Sequence, residues 1–295
     1  MTTMPALDAG QPVSPWVTHR RRAEDLCGRY PFAAEMLTLY LALLDLWEDG
    51  WRLAREDSPE PRDLSRWASE RVLPRVVQAT EAAGPEPLAK AARDLVEAGG
   101  LEESLVAWLS GAELPPVERY LARASLQAPL VALGEDAGAA CAEDPSPRDD
   151  WRCPRCGGVP QVSFRSDAAD PLVSGRRHLL CARCGHTWVY SSSSCPSCGE
   201  TSGSQRTVYT EHRDRPVVGR GDDDRGAIRA AEAGDPTFPH LSIDACTSCQ
   251  RYVIDVDLGR ESRAVPEVDE MAALPLDLYA TEHGLRKITP NLMGF

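Results

Sequence analysis

The sequence predicts an α+β protein in which an N-terminal α-helical domain is followed by two small cysteine-rich modules. The chain has 295 residues, a length that fits two domains better than one. Apolar residues recur at helical spacing in the first half, where Ala and Leu are abundant and β-branched runs are scarce. After residue 150, short strand-like segments, turns and paired cysteines replace this pattern.

The first domain is predicted to be helical over roughly residues 20–140. The segment PFAAEMLTLYLALLDLWEDGWRLARE begins with a proline, which suits a first helical turn, and its apolar residues recur every three or four positions. Pro74 predicts a break in the next helical stretch, and Gly99 with Gly100 is expected to end another. Helices joined by short Pro/Gly loops therefore form the predicted domain 1–145.

The remainder of the chain is predicted to form two small modules of strands and turns. The segment CAEDPSPRDD (141–150) has the composition of a linker. Short strands are expected in PQVSFRS, RRHLL, HTWVYS, SQRTVYTEH, HLSIDAC and RYVIDVDL. The first module spans 146–194. The second spans 195–295, with a Gly- and Asp-rich insertion at 214–239, a short helix around 225–233 inside it, and a C-terminal helix.

Eight of the ten cysteines form four C-x-x-C pairs, which are the strongest functional signal in the chain. A C-x-x-C turn brings two sulfurs together, and a following Gly suits a left-handed backbone position; three pairs have this Gly and the fourth has Gln250. Two such turns make a tetrahedral S4 site for zinc or a single rubredoxin-type iron, so four pairs predict two sites. The predicted metal ligands are Cys153, Cys156, Cys181, Cys184, Cys195, Cys198, Cys246 and Cys249.

The pairing of these four turns is open from sequence, but loop length favours one arrangement. Sequential pairing joins the first turn to the second and the third to the fourth, and it closes shorter loops than interleaved pairing does. Each half then resembles a rubredoxin-like or zinc-ribbon-like module. The ten residues before Cys195 become the join between two sites, where Trp188 and Tyr190 are expected to pack.

Charge and composition argue against several classes of function. The formal net charge is -13, and most of it lies in residues 1–150, which disfavours non-specific binding of nucleic acid. In residues 151–220 arginines outnumber acidic residues two to one, an excess that the thiolates of two metal sites would offset. No apolar run is long enough to span a membrane, and the N-terminus has no pattern of a secretory signal. A cytoplasmic, reducing compartment is expected, in which cysteine pairs bind metal and do not form disulfides.

No catalytic constellation is visible, and the protein is not expected to be an enzyme. Protein thiolates would fill all four positions of each metal, which leaves none for a substrate or water. Cys27 and Cys141 stand outside the pairs and are expected to be buried small hydrophobic residues. His178, His186 and His212 belong to no metal-binding or catalytic pattern, and no phosphate-binding or nucleophile motif occurs.

The cysteine-rich half resembles the formate dehydrogenase accessory protein FdhE family. The resemblance lies in CPRCGGVPQVS, RRHLLCARCGHTWVYSSSSCPSCG, IDACTSCQRYVIDVD and LPLDLYATEHGLRKITPN, together with YLARASLQ at 120–127 in the helical half. The insertion at 214–239 is longer than expected for the family. The resemblance implies a cytoplasmic accessory protein that binds the catalytic subunit of a molybdenum- or tungsten-dependent formate dehydrogenase and assists its assembly or activation. It also implies rubredoxin-like metal sites.

Two other functions remain as alternatives. A redox protein could transfer electrons through S4 iron, and a zinc-ribbon protein could bind nucleic acid through its arginines. Tetrathiolate sites accept both iron and zinc, so the sequence does not choose the metal.

Overall fold

The computed structural model describes residues 14–166, 175–211 and 237–294. Within the first of these ranges the chain is helical up to residue 140. The helices are α1 (Val17–Arg29), α2 (Ala34–Asp57), α3 (Leu64–Arg71), α4 (Leu73–Ala83), α5 (Glu86–Ala98), α6 (Leu101–Leu109), α7 (Pro116–Leu133) and α8 (Ala137–Ala140).

The breaks between the helices follow local backbone chemistry. Pro74 lies in the first turn of α4, so the predicted break falls between α3 and α4. Gly99 and Gly100 have φ angles of 76° and 85° and follow the end of α5, as predicted. Helix α7 is the most buried of the set, and Trp47 of α2 donates its indole N–H to the carbonyl of Ala124 at 2.7 Å.

The described residues of the cysteine-rich half form a seven-stranded sheet. Its strands are β1 (Pro160–Arg165), β2 (Arg177–Cys181), β3 (Thr187–Val189), β4 (Arg206–Thr210), β5 (Leu241–Cys246), β6 (Arg251–Asp257) and β7 (Arg286–Lys287). The strand order is β3-β2-β1-β6-β5-β4, and β7 pairs with β6. The six predicted strands are present, whereas the two-residue β7 was not predicted.

The two predicted modules meet within this sheet. Strands β1–β3 come from the first module and β4–β7 from the second, and a parallel pairing of β1 with β6 joins them. The α+β prediction of a helical part and two cysteine-bearing parts is confirmed, and the shared sheet is an addition to it. The proposed boundaries after residues 145 and 194 remain predictions.

The strand directions place both sets of cysteines at the same end of the sheet. Pro160, which begins β1, pairs with Cys181 at the end of β2, and Cys246 at the end of β5 pairs with Arg251 at the start of β6. Since β1 and β6 are parallel, these ends coincide. Residues 167–174 and 212–236 lie outside the described residues. The predicted insertion and its short helix fall there, apart from the last three residues of 214–239.

One face of the sheet is apolar and packs against the helices. Val162, Ile243 and Ile254 belong to a core that continues into α1 and α2 and into the C-terminal helices α9 (Pro266–Ala272) and α10 (Leu274–Glu282). The predicted C-terminal helix is therefore divided, with Pro275 in the first turn of its second part. A second apolar cluster lies beneath α6 and α7 and includes the first four paired cysteines.

Candidate metal centres

Each C-x-x-C pair lies in a tight turn closed by backbone hydrogen bonds. In the first turn the N–H of Cys153 donates to the carbonyl of Gly158 at 2.8 Å, and Gly157 donates back to Cys153 at 2.9 Å. The third turn repeats this pattern, with Cys195 donating to Glu200 at 2.8 Å. The repeated geometry aims both sulfurs of a pair to one side of the turn.

The residue after each second cysteine has a left-handed backbone, as the sequence predicted. The φ angles are 75° at Gly157, 66° at Gly185 and 74° at Gly199. Gln250 adopts the same conformation at 55°, although its Cβ makes this region unfavourable. The fourth turn therefore carries backbone strain that the other three avoid.

The first two pairs converge on what we call site 1, formed by Cys153, Cys156, Cys181 and Cys184. Their sulfurs all lie within 4.8 Å of one another. Cys153 and Cys184 are 3.7 Å apart at Sγ, and Cys156 and Cys181 are 3.4 Å apart. All four residues are at most 2% exposed.

The last two pairs converge on site 2, formed by Cys195, Cys198, Cys246 and Cys249. Its sulfurs also lie within 4.8 Å of one another. The Sγ atoms of Cys195 and Cys249 are 3.8 Å apart, and those of Cys198 and Cys246 are 3.9 Å apart. Cys195 and Cys246 are buried, Cys249 is half-buried and Cys198 is exposed. The cysteines are thus grouped sequentially, the arrangement that loop length favoured.

The sulfur positions fit a tetrahedral tetrathiolate metal. Metal–sulfur bonds of about 2.3 Å give a tetrahedron with edges of about 3.8 Å. The four distances above cluster around that value. The donor set suits zinc and iron equally, so the geometry leaves the metal open. Among the residues that the structure describes, these are the two groups of His, Cys, Asp and Glu able to hold an ion.

A buried arginine compensates charge beside site 1. The Arg183 guanidinium donates to Asp144 at 2.9 Å and to the carbonyl of Cys156 at 3.1 Å. Burial opposes its charge, but the nearby thiols of Cys141, Cys156 and Cys181 outweigh burial and raise the pKa of Arg183. This is the neutralising role that the arginine excess suggested.

A fifth cysteine lies against site 1. Cys141 is fully buried, as expected, in the cluster that contains the four site 1 cysteines. A hydrogen bond with Cys156, followed by burial, raises the pKa of the Cys141 thiol. Sequence reasoning missed this contact because Cys141 stands at no motif spacing from the pairs.

A buried polar network lies between the two sites. Arg177 of β2 is 2% exposed and donates to Asp244 at 2.6 Å, to Ser163 at 2.7 Å and to the carbonyl of Ser194 at 3.2 Å. Arg206 of β4 shares the same Asp244 carboxylate. The network therefore ties the strands of site 1 to those of site 2, and no sequence motif announced it.

The aromatic residues expected at the join have separate positions. The Tyr190 hydroxyl donates to the carbonyl of Cys195 at 2.9 Å, which connects β3 to site 2 and confirms its predicted place. Trp188 packs instead on the cluster around site 1 and donates to the carbonyl of Asp150 at 3.4 Å. Trp151, which sequence reasoning did not single out, lies against Gly199.

The remaining candidate residues lie outside both sites. His178 stacks on Phe164 with ring centroids 5.1 Å apart. Burial and the neighbouring Arg155 lower the pKa of the partly exposed His186. Cys27 is half-buried, and His212 lies outside the described residues. No helix in the described part of the chain has the length and apolar character needed to cross a membrane.

Comparisons with known proteins find relatives for part of the sequence and for the fold. No family model matches the chain. It is 30% identical over 143 residues to the Protein FdhE homolog of Aquifex aeolicus, and 27% identical over 143 residues to the Protein FdhE homolog of Pseudomonas aeruginosa. These matches span 48% of this chain, and 41% and 38% of the two relatives.

A solved structure shares the fold over nearly the whole chain. The crystal structure of the FdhE protein from Pseudomonas aeruginosa superposes with a TM-score of 0.61 and 22% sequence identity. The superposition covers 96% of this chain and 97% of that one. The likeness in fold therefore extends well beyond the matched sequence.

Proposed function

We propose that this chain is an FdhE-type accessory protein which assists the assembly or activation of a formate dehydrogenase. The sequence match to FdhE homologues is the observation that carries the proposal. The shared fold supports it, because the superposition on the FdhE crystal structure covers 96% of this chain. The sequence match spans less than half of the length of these relatives.

We propose that sites 1 and 2 each hold one zinc or iron ion. The sulfur distances support metal binding by all eight paired cysteines, and the burial of all four thiols at site 1 supports it there. Iron would supply one-electron redox chemistry, and zinc would supply structural stability. Four protein thiolates close the coordination sphere and leave no position for a water, which argues against hydrolytic catalysis by either metal. Cysteines that bind metal and form no disulfides suit a reducing compartment, so we also propose a cytoplasmic location.

The proposed partner is the catalytic subunit of a molybdenum- or tungsten-dependent formate dehydrogenase. The tagged full chain, isolated without air from its native host, is expected to recover that subunit. Deletion of the gene for this chain is expected to lower formate dehydrogenase activity while the catalytic subunit is still synthesised. An unrelated protein with the same tag is the control for the isolation. Unchanged enzyme activity in the deletion strain, with no subunit recovered, would contradict the proposed role.

Electron transfer is a second candidate function, and the exposure of site 2 favours it. Cys198 is exposed, so an iron there would lie close to a redox partner. Protein purified without air is expected to contain iron and to show thiolate-to-iron absorption bands in the visible range. Colourless protein that contains zinc alone would rule out electron transfer by these sites.

Nucleic-acid binding is not favoured by the positions of the arginines. Arg177, Arg183 and Arg206 are largely buried and pair with Asp144 or Asp244 inside the fold. Charges used in this way are not available to phosphates at the surface. Among the described residues of 151–220, these three arginines are therefore used inside the fold.

A further inference from the structure

The two cysteine sites differ sharply in their access to solvent. In site 1 all four residues are at most 2% exposed. In site 2 one residue of each contributing turn reaches the surface, because Cys198 is exposed and Cys249 is half-buried. Sites with identical ligands are thus placed in different environments.

Site 1 is enclosed by the helical half of the chain. Leu126 and Leu130 of α7, Ala137 of α8 and Cys141 pack in one cluster with its four cysteines. The buried pair of Arg183 and Asp144 adds a polar cover. A ligand from solution must displace these groups before it reaches a sulfur.

Site 2 is less enclosed than site 1. Tyr190 contacts the turn of Cys195 from the sheet, whereas Ser248, beside Cys249, is exposed. The strands next to this site are β4 and β5, and both extend away from it. Strand β4 ends at Thr210 and β5 begins at Leu241, at the end of the sheet opposite Cys246. Within the described ranges, no helix encloses site 2 as α7 and α8 enclose site 1.

The turn of Cys249 also has the least favourable backbone conformation of the four C-x-x-C turns. Gln250 holds a side chain in the left-handed region, where the other turns have Gly. Loss of metal would release this conformation, so the strain favours opening of site 2 over site 1.

From these observations we propose that site 2 is an exchange site, which gives its metal to, or accepts it from, a competing soft ligand such as a thiolate, while site 1 is a structural centre. The inference rests on the proposed binding of metal to both sites. In exchange, the incoming donor bonds to the metal at the exposed Cys198 or Cys249 side. Each departing sulfur keeps its electron pair and takes a proton from water, and the metal leaves with the incoming ligand.

Competition with a coloured chelator tests the inference on the full chain. The protein is loaded with two equivalents of zinc and mixed with excess 4-(2-pyridylazo)resorcinol. We expect release in two phases of one equivalent each, with the first at least about tenfold faster, because site 1 must first undergo local opening. Cys198→Ser should abolish the fast phase and leave the slow one. Cys27→Ser, a change outside both sites, should leave both phases unaltered.

Alkylation of the unaltered zinc-loaded chain supplies a second measurement that does not depend on the folding of a variant. Iodoacetamide followed by mass spectrometry should modify Cys198 and Cys249 before any cysteine of site 1. Equal release rates, a slow phase lost in Cys198→Ser, or earlier alkylation of site 1 would overturn the inference. Binding of fewer than two equivalents, measured before chelator is added, contradicts the metal-binding proposal and removes the premise of the inference with it.

Discussion

Gly158 leaves the space in which the sulfurs of site 1 meet. A Cβ at this position would lie 2.9 Å from the Sγ of Cys181 and 3.3 Å from that of Cys156. The backbone N–H of Gly158 also points at the Cys156 sulfur, at 3.4 Å. A single methyl group would therefore push on two ligands and on a donor that stabilises one of them.

We expect Gly158→Ala to weaken metal binding at site 1 by about tenfold, in the range found for changes next to metal ligands. Competition titration with a chelator of known affinity measures the change. Gly203→Ala is the control, because a Cβ there has nothing within 4 Å. Equal affinities for the two variants would show that site 1 tolerates the added methyl.

Asp269 is a buried carboxylate that joins α9 to α1 and to His240. It is 1% exposed, accepts from Arg22 at 2.9 Å and lies 2.8 Å from the ring nitrogen of His240. Burial alone would raise its pKa, but hydrogen bonds from His240 and Arg22 outweigh burial and lower the pKa of Asp269. The ionised form is therefore the one that stabilises the fold.

Asp269→Asn is expected to lower the free energy of unfolding at pH 7 by roughly 3 kcal/mol, since it leaves the buried Arg22 with only the half-exposed Asp25 as a charge partner. The contribution of Asp269 is complete above its unfolded pKa of about 3.9 and disappears as pH falls through the lower folded value. Urea unfolding at pH 7 and pH 3 should show the difference between variant and parent shrinking in acid.

The control for this change shares the same guanidinium. Asp25 also pairs with Arg22, at 3.2 Å, but its side chain is 41% exposed. Asp25→Asn should cost about 1 kcal/mol or less. A cost at Asp269 no larger than this would contradict a stabilising role for the buried pair.

At the scale of elements, the hydroxyl of Tyr190, the residue after β3, links this strand to site 2. Tyr190→Phe removes the hydrogen bond to the Cys195 carbonyl and keeps the ring, so we expect a loss of about 1 kcal/mol in stability. Metal release from site 2 should become faster while release from site 1 is unchanged. Chelator kinetics and urea unfolding measure the two effects.

Tyr209→Phe is the matched change on β4, where the tyrosine contacts Tyr279 through its ring. It should leave both release rates unaltered. A similar acceleration in the two variants would indicate a general loosening of the sheet and not a specific link at Tyr190.

Local patterns in the sequence predicted the elements well and their arrangement poorly. Pro74, Gly99 and the alternating strand segments act on the backbone beside them, so the breaks and the six main strands were visible. The pairing of β1 with β6 was not, because alternation along a strand does not identify its neighbour. The eight paired cysteines were found because a turn fixes their spacing.

Residues whose importance comes from distant contacts escaped prediction. An arginine on a strand, such as Arg177, has the same local pattern whether it reaches solvent or a buried carboxylate on another strand. Cys141, the residue after α8, likewise lies beside site 1 only when α8 packs against that site. Predicting either residue requires the tertiary structure.

For the whole molecule, Arg123 joins the helical half to the sheet and to the C-terminal tail. Its guanidinium donates to Gln161 of β1 and, at 3.0 Å, to the carbonyl of Pro290. Nearby, Lys287 of β7 pairs with Glu270 of α9 and Asp277 of α10. A small set of polar contacts thus joins the helical half, the sheet and the C-terminal tail.

We expect Arg123→Met to destabilise the protein by about 2–3 kcal/mol, because the buried Gln161 and the half-buried Pro290 carbonyl lose a charged donor. Amide hydrogen exchange should accelerate in residues 286–293 more than in α2. Arg119→Met on the same helix is the control, since Arg119 is only partly buried. Uniform acceleration across the chain would indicate general destabilisation and not a specific tie to the tail.

The parallel pairing of β1 with β6 also sets an order of events during synthesis of the chain. All four cysteines of site 1 exist once residue 184 has been made, but the inner neighbour of β1 is complete only at Asp257. The bond between Ser163 and Asp255 spans 92 residues, and such long-range contacts form late. A nascent chain can therefore close site 1 while one edge of β1 is still open to wrong partners. Early metal uptake at site 1 would hold β1 and β2 together through that interval, so metal supply during translation would control how much protein reaches its final form.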